Sequence, residues 1–288
     1  MLLGYSRQSY YQGIKFIQQK AYQADVIIEE VLRHRKLQKR IGTRKLLELM
    51  QDFLESHNFQ IGRDALFNLL AEKGLLVAKR KRRGSITTFS KHRFRKYPNI
   101  IRDFIPTAPN QLWVCDITYI HLKDGFAYLS LITDAYSRKI VGFYLSKDLT
   151  ANGPLQALKM ALKANSNITG LIHHSDRGVQ YCCDAYVKLL EDNAIKISMT
   201  ENGDPLENAI AERVNGILKQ ELLEELFKDF NTAQKDVAIA CSTYNYLRPH
   251  GSIDNLKPAE AHQQNGVIPK RWKNYYQINK RKEEAMSG

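Results

Sequence analysis

The sequence predicts an α/β protein whose mixed five-stranded sheet is flanked by helices and preceded by an all-helical, helix-turn-helix-like region. Three observations lead there. Residues 5–75 place their apolar side chains at helical spacing. Three strand-like runs then follow across hairpin-length turns, at Leu112–Ile120, Ala127–Thr133 and Lys139–Ser146. Beyond them helix-like and strand-like runs alternate, so the order reads β-β-β-α-β-α-β-α-α. Antiparallel hairpins followed by α/β units make a mixed sheet.

In the N-terminal region, "SRQSYYQ" reads as a helix start and "ADVIIEEVLRHRKLQ" as an amphipathic helix. "GTRKLLELMQDFLESH" sets Leu46, Leu49, Met50 and Phe53 on one helical face. "NFQIG" breaks the pattern, and "RDALFNLLAEKGL" resumes it up to Gly74, placed as a C-cap. Two short helices about a turn, with a basic tail, suit a helix-turn-helix; any small helical bundle has the same outline. After the third strand come a helix, "NGPLQALKMALKAN", and a strand, "GLIHHSD". A helix around "VQYCCDAYVKLLEDN", the strand "KISMT" and the loop "ENGDP" follow. A long helix from about Leu206 to Phe227 and another over roughly 231–246 complete the expected order. The expected domains are a helical DNA-binding region at 1–78, a basic linker at 79–103, a catalytic core at 104–264 and a basic tail at 265–288.

The net charge is +13, and it is concentrated. "KRKRRGSITTFSKHRFRK", Lys79 to Lys96, holds nine basic residues and no acid, which leaves 34 bases against 30 acids elsewhere. Such a run points to a polyanion, nucleic acid above all, over a merely solubilising linker. Lys79, Arg80, Lys81, Arg82, Arg83, Arg93 and Arg95 are its candidate phosphate contacts. No run of about 18 apolar residues exists, so no membrane partner is expected. The N-terminus lacks the apolar core of a secretory signal. Four cysteines without a CxxC pair argue against a zinc ribbon or a disulfide framework and for a reducing cytoplasm.

The chemistry lies in three acids. Asp116 sits mid-strand in "LWVCDITYI", where an unpaired carboxylate is costly. Asp176 ends the strand in "LIHHSDRGVQY", and strand ends are where α/β sites gather. In "LENAIAERVNGILKQEL", Asn208, Glu212, Asn215 and Lys219 form one stripe, apart from the apolar Ile210, Val214, Ile217 and Leu218. Oxygen ligands of this kind favour Mg2+ or Mn2+ over zinc. Two such ions suit an in-line phosphoryl displacement.

"LWVCDITYI", "HHSDRGVQY" and "ENAIAERVNGILKQE" resemble the signatures of the DDE transposases and retroviral-type integrases. The 35 residues between Asp176 and Glu212 match that family's D-D-35-E pattern. The match is close to insertion-sequence transposases whose second reading frame encodes the catalytic half. It covers about residues 100–262, with "ITDAYSRKIVGF", "YNYLRPHGSI" and "KPAEA" agreeing as well. The resemblance implies a ribonuclease-H-like fold and a DNA transposase, a polynucleotidyl transferase. Asp116, Asp176 and Glu212 would be its catalytic and metal-binding residues, with two Mg2+ ions for which Mn2+ substitutes. It implies cleavage at transposon ends, then attack by the freed 3′-hydroxyl on another phosphodiester. Lys219 matches a basic residue that contacts DNA near the ends. The implied partners are double-stranded DNA at ends and target, at least one further copy of the chain, and a first-frame subunit or frameshift fusion. The implied location is the bacterial nucleoid. Glu207 departs from the family's usual Asp, and the zinc-binding HHCC domain of retroviral integrases is absent from the sequence.

Each residue has a plainer reading. Glu207 competes with Glu212 but opens its helix, where an acid offsets the dipole. His173 and His174 read as packed histidines, although His174 is within reach of the site; Asp134 reads as a turn cap before a fourth acid. Cys182 and Cys183 read as helix packing, and Trp113 and Tyr119 as core rather than base-stacking groups. Asn208 and Arg248 are candidate DNA contacts, Arg248 with capping as an equal alternative. Two rival functions stay open: a simple nuclease of the same fold, and a non-catalytic DNA-binding regulator of transposition.

Overall fold

A computed structural model describes residues 6–78, 92–165, 167–201 and 208–269. The chain divides into two units, Met1–Arg82 and Arg83–Gly288.

In the first unit, Ser6 caps helix α1 (Arg7–Arg35), its hydroxyl accepting from Ser9 N at 3.1 Å. The two helical stretches expected before residue 40 are thus one 29-residue helix. No proline interrupts the run, and Gly13 sits in open space. Helices α2 (Thr43–Leu49) and α3 (Gln51–Ser56) replace the continuous helix expected there, parting at Met50. Met50 turns inward with Leu46, Leu54, Leu66, Leu70, Ile27 and Val31 to form the core of this unit. Each such side chain contributes roughly 1.5–3 kcal/mol on burial. Helix α4 (Arg63–Glu72) ends as expected at Gly74, whose φ of +66° suits a residue without Cβ. Gly74 N bonds Ala71 O at 3.0 Å and Leu75 N bonds Leu70 O at 2.7 Å, closing a Schellman motif.

The second unit is a five-stranded mixed sheet in the order β3-β2-β1-β4-β5, the ribonuclease-H-like arrangement. Strands β1 (Leu112–Leu122), β2 (Gly125–Asp134) and β3 (Ile140–Ser146) form antiparallel hairpins. The first turn is Lys123–Asp124, followed by Gly125 at φ +126°. The second is held by Asp134, fully buried, whose Oδ1 accepts from Ser137 N and Ser137 Oγ, both at 2.7 Å. Asp134 is therefore a turn cap. Strands β4 (Ile172–Ser175) and β5 (Lys196–Met199) add in parallel beside β1.

Helices cover both faces. Alternation along β1 sends Trp113 and Cys115 into one core with α5 (Asn152–Ala164), α6 (Val179–Cys182) and α7 (Asp184–Asp192). It sends Ile120 into another core with α8 (Ala209–Ile217) and α9 (Phe230–Tyr246). The single helix expected around 179–193 is two, because Cys183 is extended at φ −68°, ψ 148°. The long helix expected to Phe227 is shorter. After α8 the chain makes one π turn, Leu218–Leu222, and leaves the helix at Leu223. Phe227 N then bonds His121 O at 2.9 Å, and Lys123 N bonds Phe227 O at 3.0 Å. Leaving the helix lets Leu222, Leu223 and Phe227 all reach one core. The short α10 (Pro258–Ala261) closes the described chain, with His262 Nδ1 against Ser137 Oγ at 2.9 Å.

Candidate active site

Strand register brings two of the acids together. Parallel pairing of β1 with β4 sets Trp113 opposite His173 and Val114 opposite His174. Two residues further along the chain stand Asp116, still within β1, and Asp176, one residue past the end of β4. In-register neighbours on adjacent strands point to the same side, about 5 Å apart. Strand β4 stops at Ser175 while β1 runs on to Leu122, and a cleft opens where β1 loses its neighbour. Asp116, Ile117, Tyr119, Leu149, Asp176, Gly178, Gln180 and Tyr181 line it. The Gly178 N–H donates to Asp176 Oδ1 at 3.0 Å and holds that carboxylate, and a Cβ on Gly178 would stand 3.0 Å from the same oxygen.

Helix α8 crosses the face of β1 that carries Val114, Asp116 and Ile120, and three residues of the stripe read from the sequence reach the strand. Asn208 Nδ2 donates to Cys115 O at 2.9 Å, Asn215 Nδ2 to Asp116 Oδ2 at 2.7 Å, and Lys219 Nζ to Thr118 Oγ1 at 3.2 Å. Asp116 Oδ1 also accepts from Ile117 N at 2.9 Å. Glu212 lies on the same stripe, exposed in the first turn of α8.

The electrostatics follow from this packing. Asp116 is raised to about 7, first by burial and then by the charge of Asp176. The Asn215 and Ile117 hydrogen bonds pull it down, and Glu212 pushes it up. Burial lowers Lys219 from the ordinary lysine value, with Asp116 acting in the opposite sense. A carboxyl held above its usual range by burial and then by a neighbouring carboxylate is a place where a cation is favoured. The donors are carboxylate oxygens, which fit a hard divalent ion. Among the described residues no three His, Cys, Asp or Glu side chains stand close enough together to hold a metal. Asp116 and Asp176 share the cleft; Glu212 is felt at Asp116 as a charge.

The other candidate residues separate. Arg93 and Arg95 are exposed, lying over the rings of Phe94 and Tyr97 at 5.9 and 5.0 Å. Their segment is pinned beside the cleft: His92 Nε2 donates to Arg177 O at 2.9 Å, next to Asp176. Asn208 is buried, its amide spent on β1. Arg248 is the clear correction. Its guanidinium is 2% exposed and forks onto Glu221, at 2.8 Å from Nε and 2.9 Å from Nη2. That geometry ties α9 to the π turn and leaves nothing for a phosphate. Lys79, Arg80, Lys81, Arg82, Arg83 and Glu207 lie outside the described residues. His173 and His174 are buried, as expected. His173 Nε2 meets Cys115 Sγ and Tyr186 OH, both at 2.9 Å, and burial lowers it to about 3. His174 Nδ1 meets Ser198 Oγ at 2.9 Å. The role of Asn215 went unread in the sequence. Its place on the Glu212 stripe was the signal, three residues after the acid.

Residues 106–205 match the family model described as "Integrase core domain", and residues 193–258 match a second model so described. The chain is 35% identical over 265 residues to the "Insertion element IS600 uncharacterized 31 kDa protein" of Shigella sonnei, spanning 90% of this chain and 95% of that one. It is 31% identical over 214 residues to the "Putative transposase for insertion sequence element IS986/IS6110" of Mycobacterium tuberculosis, spanning 72% and 77%. Among solved structures, the HTLV-2 integrase catalytic core domain in complex with magnesium is similar at 20% identity, over 55% of this chain and all of that one, with a TM-score of 0.42.

Proposed function

Because the chain belongs to the insertion-sequence transposases that carry an integrase core domain, we propose that Asp116, Asp176 and Glu212 are the acids with which it cuts and joins DNA. The protein is a DNA transposase, a polynucleotidyl transferase. What supports the site is the β1–β4 register, which pairs Val114 with His174 two residues before the acids, together with the charge of Asp176 felt at Asp116, itself raised to about 7. These two would hold Mg2+, two ions with Glu212 added, and Mn2+ would substitute; the bound ions would activate the attacking oxygen and stabilise the leaving one.

In the first step a water oxygen attacks a phosphorus at the element end. The P–O3′ bond breaks, and the 3′-oxygen leaves and gains a proton. In the second, that 3′-hydroxyl oxygen attacks another phosphodiester and displaces its 3′-oxygen. One such bond forms and one breaks, so no energy source is needed. The chain's own part is to orient. Asn215 fixes the Asp116 carboxylate, the Gly178 N–H holds that of Asp176, and Lys219 puts a cation beside β1 for a DNA phosphate. Arg93 and Arg95 would contact the DNA backbone beside the cleft, and Lys79, Arg80, Lys81, Arg82 and Arg83 would add phosphate contacts. We assign the helical region at 1–78 to end recognition, 79–103 to a basic linker, 104–264 to the catalytic core and 265–288 to a basic tail. The partners would be double-stranded transposon ends and target, at least one further copy of this chain, and a first-frame subunit or fusion.

The test is strand transfer with Mg2+ on DNA carrying the element's ends. Wild type should join a cut end to target; Asp116→Asn, Asp176→Asn and Glu212→Gln should bind DNA but neither cut nor join. Cleavage without joining by the wild type would favour the simple nuclease, and wild-type rates from Asp116→Asn would remove the site.

A further inference from the structure

From the pairing of β1 with β2 we infer that the outer half of that hairpin is a stacking platform for an unpaired nucleobase next to the reacting phosphate. This rests on the DNA reading of the cleft. Register sets Tyr119 opposite Tyr128, and His121 opposite Phe126. Directly paired residues share a face, so all four rings stand on one side of the sheet. They touch edge to face: Tyr119–Tyr128 at 5.0 Å, Tyr119–Phe126 at 5.6 Å and His121–Phe126 at 5.1 Å between centroids.

The same face is covered further back. A Cβ on Gly153 of α5 would stand 2.9 Å from Ser146 Oγ and 3.0 Å from Ser130 Oγ, so the helix rests directly on those two serines. Toward the hairpin tip the small residues give way to rings, and Phe126 is 48% exposed. A phenylalanine half in water at the end of an ordered ring array is a binding surface looking for a flat apolar partner.

What that partner is follows from continuity. Tyr119 belongs both to the ring array and to the lining of the Asp116–Asp176 cleft. A phosphodiester in the cleft carries a nucleoside on either side, and a base swung from its partner past Tyr119 would reach these rings, which stand on the face of β1 opposite the Asp116 side chain. Every base has a π face, so the contact needs no sequence preference. The strand segments 117–122 and 125–130 carry no acidic side chain to repel the backbone, and the acid of the turn between them, Asp124, follows Lys123.

The test uses the full chain with Ca2+ and two DNA probes of equal duplex length. One ends blunt; the other ends in an unpaired tail carrying 2-aminopurine. Wild type should bind the tailed probe more tightly and alter its fluorescence by stacking. Phe126→Ala should lose the fluorescence change and about 5- to 150-fold in affinity for the tailed probe, with blunt-duplex affinity unchanged. Phe126→Trp should restore both. Equal fluorescence and affinity from wild type and Phe126→Ala would overturn the inference. So would a Phe126→Ala variant that changes only its state of association in sedimentation, which would make the face a contact between copies. Asp116→Asn separates the two readings: it should lose cleavage in Mg2+ yet keep the fluorescence change. A wild type that stacks the base but never cuts would sink the transposase reading and leave the platform standing.

Discussion

Asn215 on α8 donates to Asp116 Oδ2 at 2.7 Å, across 99 residues of sequence. The bond joins the helix of the third acid to the strand of the first. It also acts on charge, because a donor to a carboxylate favours the ionised form. Without it, burial and Asp176 would hold Asp116 still higher.

The first prediction follows. Asn215→Ala should slow cleavage by roughly 10- to 100-fold, the usual cost of losing a partner that orients a metal-binding side chain. The acid limb of the kcat–pH profile should move to higher pH, since Asp116 would ionise later. Loss of fold alone would lower Tm without moving that limb. Asn215→Asp should be worse than Asn215→Ala, because it adds a like charge beside Asp116.

Asp116 also sets a pH dependence of stability. Its folded value of about 7 lies above the unfolded carboxylate value of about 3.9. Between the two, the folded state holds a proton that the unfolded state has released. The contribution is therefore fully present below about pH 3.9 and lost as pH rises through about 7. Asp116→Asn, which cannot ionise, should be more stable than wild type at pH 8 in a chelator, by up to about 4 kcal/mol. The gain should shrink as pH falls toward 4. Thermal melts of both proteins at several pH values check this, and a less stable variant at pH 8 would contradict it.

Much of this arrangement could be read from the chain, for physical reasons that also set the limit. Strand periodicity located β1 to β3 to within a few residues because one face of each is buried. The stripe Asn208–Glu212–Asn215–Lys219 was legible because helix geometry is fixed at 100° per residue. What periodicity does not contain is register. That Val114 pairs with His174, and so Asp116 stands by Asp176, depends on contacts 60 residues apart. Nor does local pattern tell a surface cation from a buried one. Arg248 follows a helix and precedes a proline, as a solvent-facing residue would, and its partner Glu221 lies 27 residues away. The end of α8 is hidden because the run past Leu222 is still helix-forming; Phe227 is drawn off by the edge of β1. Tyr119 was read as core, and it is half so: it packs on Tyr128 yet lines the cleft.

Gly142 makes a test of packing far from the acids. A Cβ there would overlap the Ala157 carbonyl oxygen and stand 2.9 Å from Ala161 Cβ. Helix α5 thus lies on bare backbone of β3, and neither partner is a flexible side chain. Gly142→Ala should cost about 1–3 kcal/mol, the range for overpacking. Chemical denaturation should report it as a lower midpoint with an unchanged slope. The reverse experiment at Gly13, in open space on α1, should stabilise the first unit: Gly13→Ala removes a helix-interior glycine worth roughly 0.5–1 kcal/mol.

Arg248 and Glu221 form the pair on which a DNA role and a structural role give opposite results. The guanidinium is 2% exposed and the carboxylate 22%. Removing one member leaves the other charge unpaired inside the fold, at a cost of about 3 kcal/mol. Arg248→Met and Glu221→Leu should each lower stability by about that much. The double variant should recover most of the loss, because two apolar side chains replace an ion pair whose desolvation was never free. A phosphate contact behaves differently. Its loss would reduce the slope of log affinity against log salt by about one and would not be rescued by changing Glu221. Denaturation midpoints of the four proteins, with salt titrations of DNA binding for each, separate the cases. Recovery in the double variant with an unchanged salt slope is the result expected of a strut between α9 and the turn after α8. A shallower slope for Arg248→Met would return this arginine to the DNA surface.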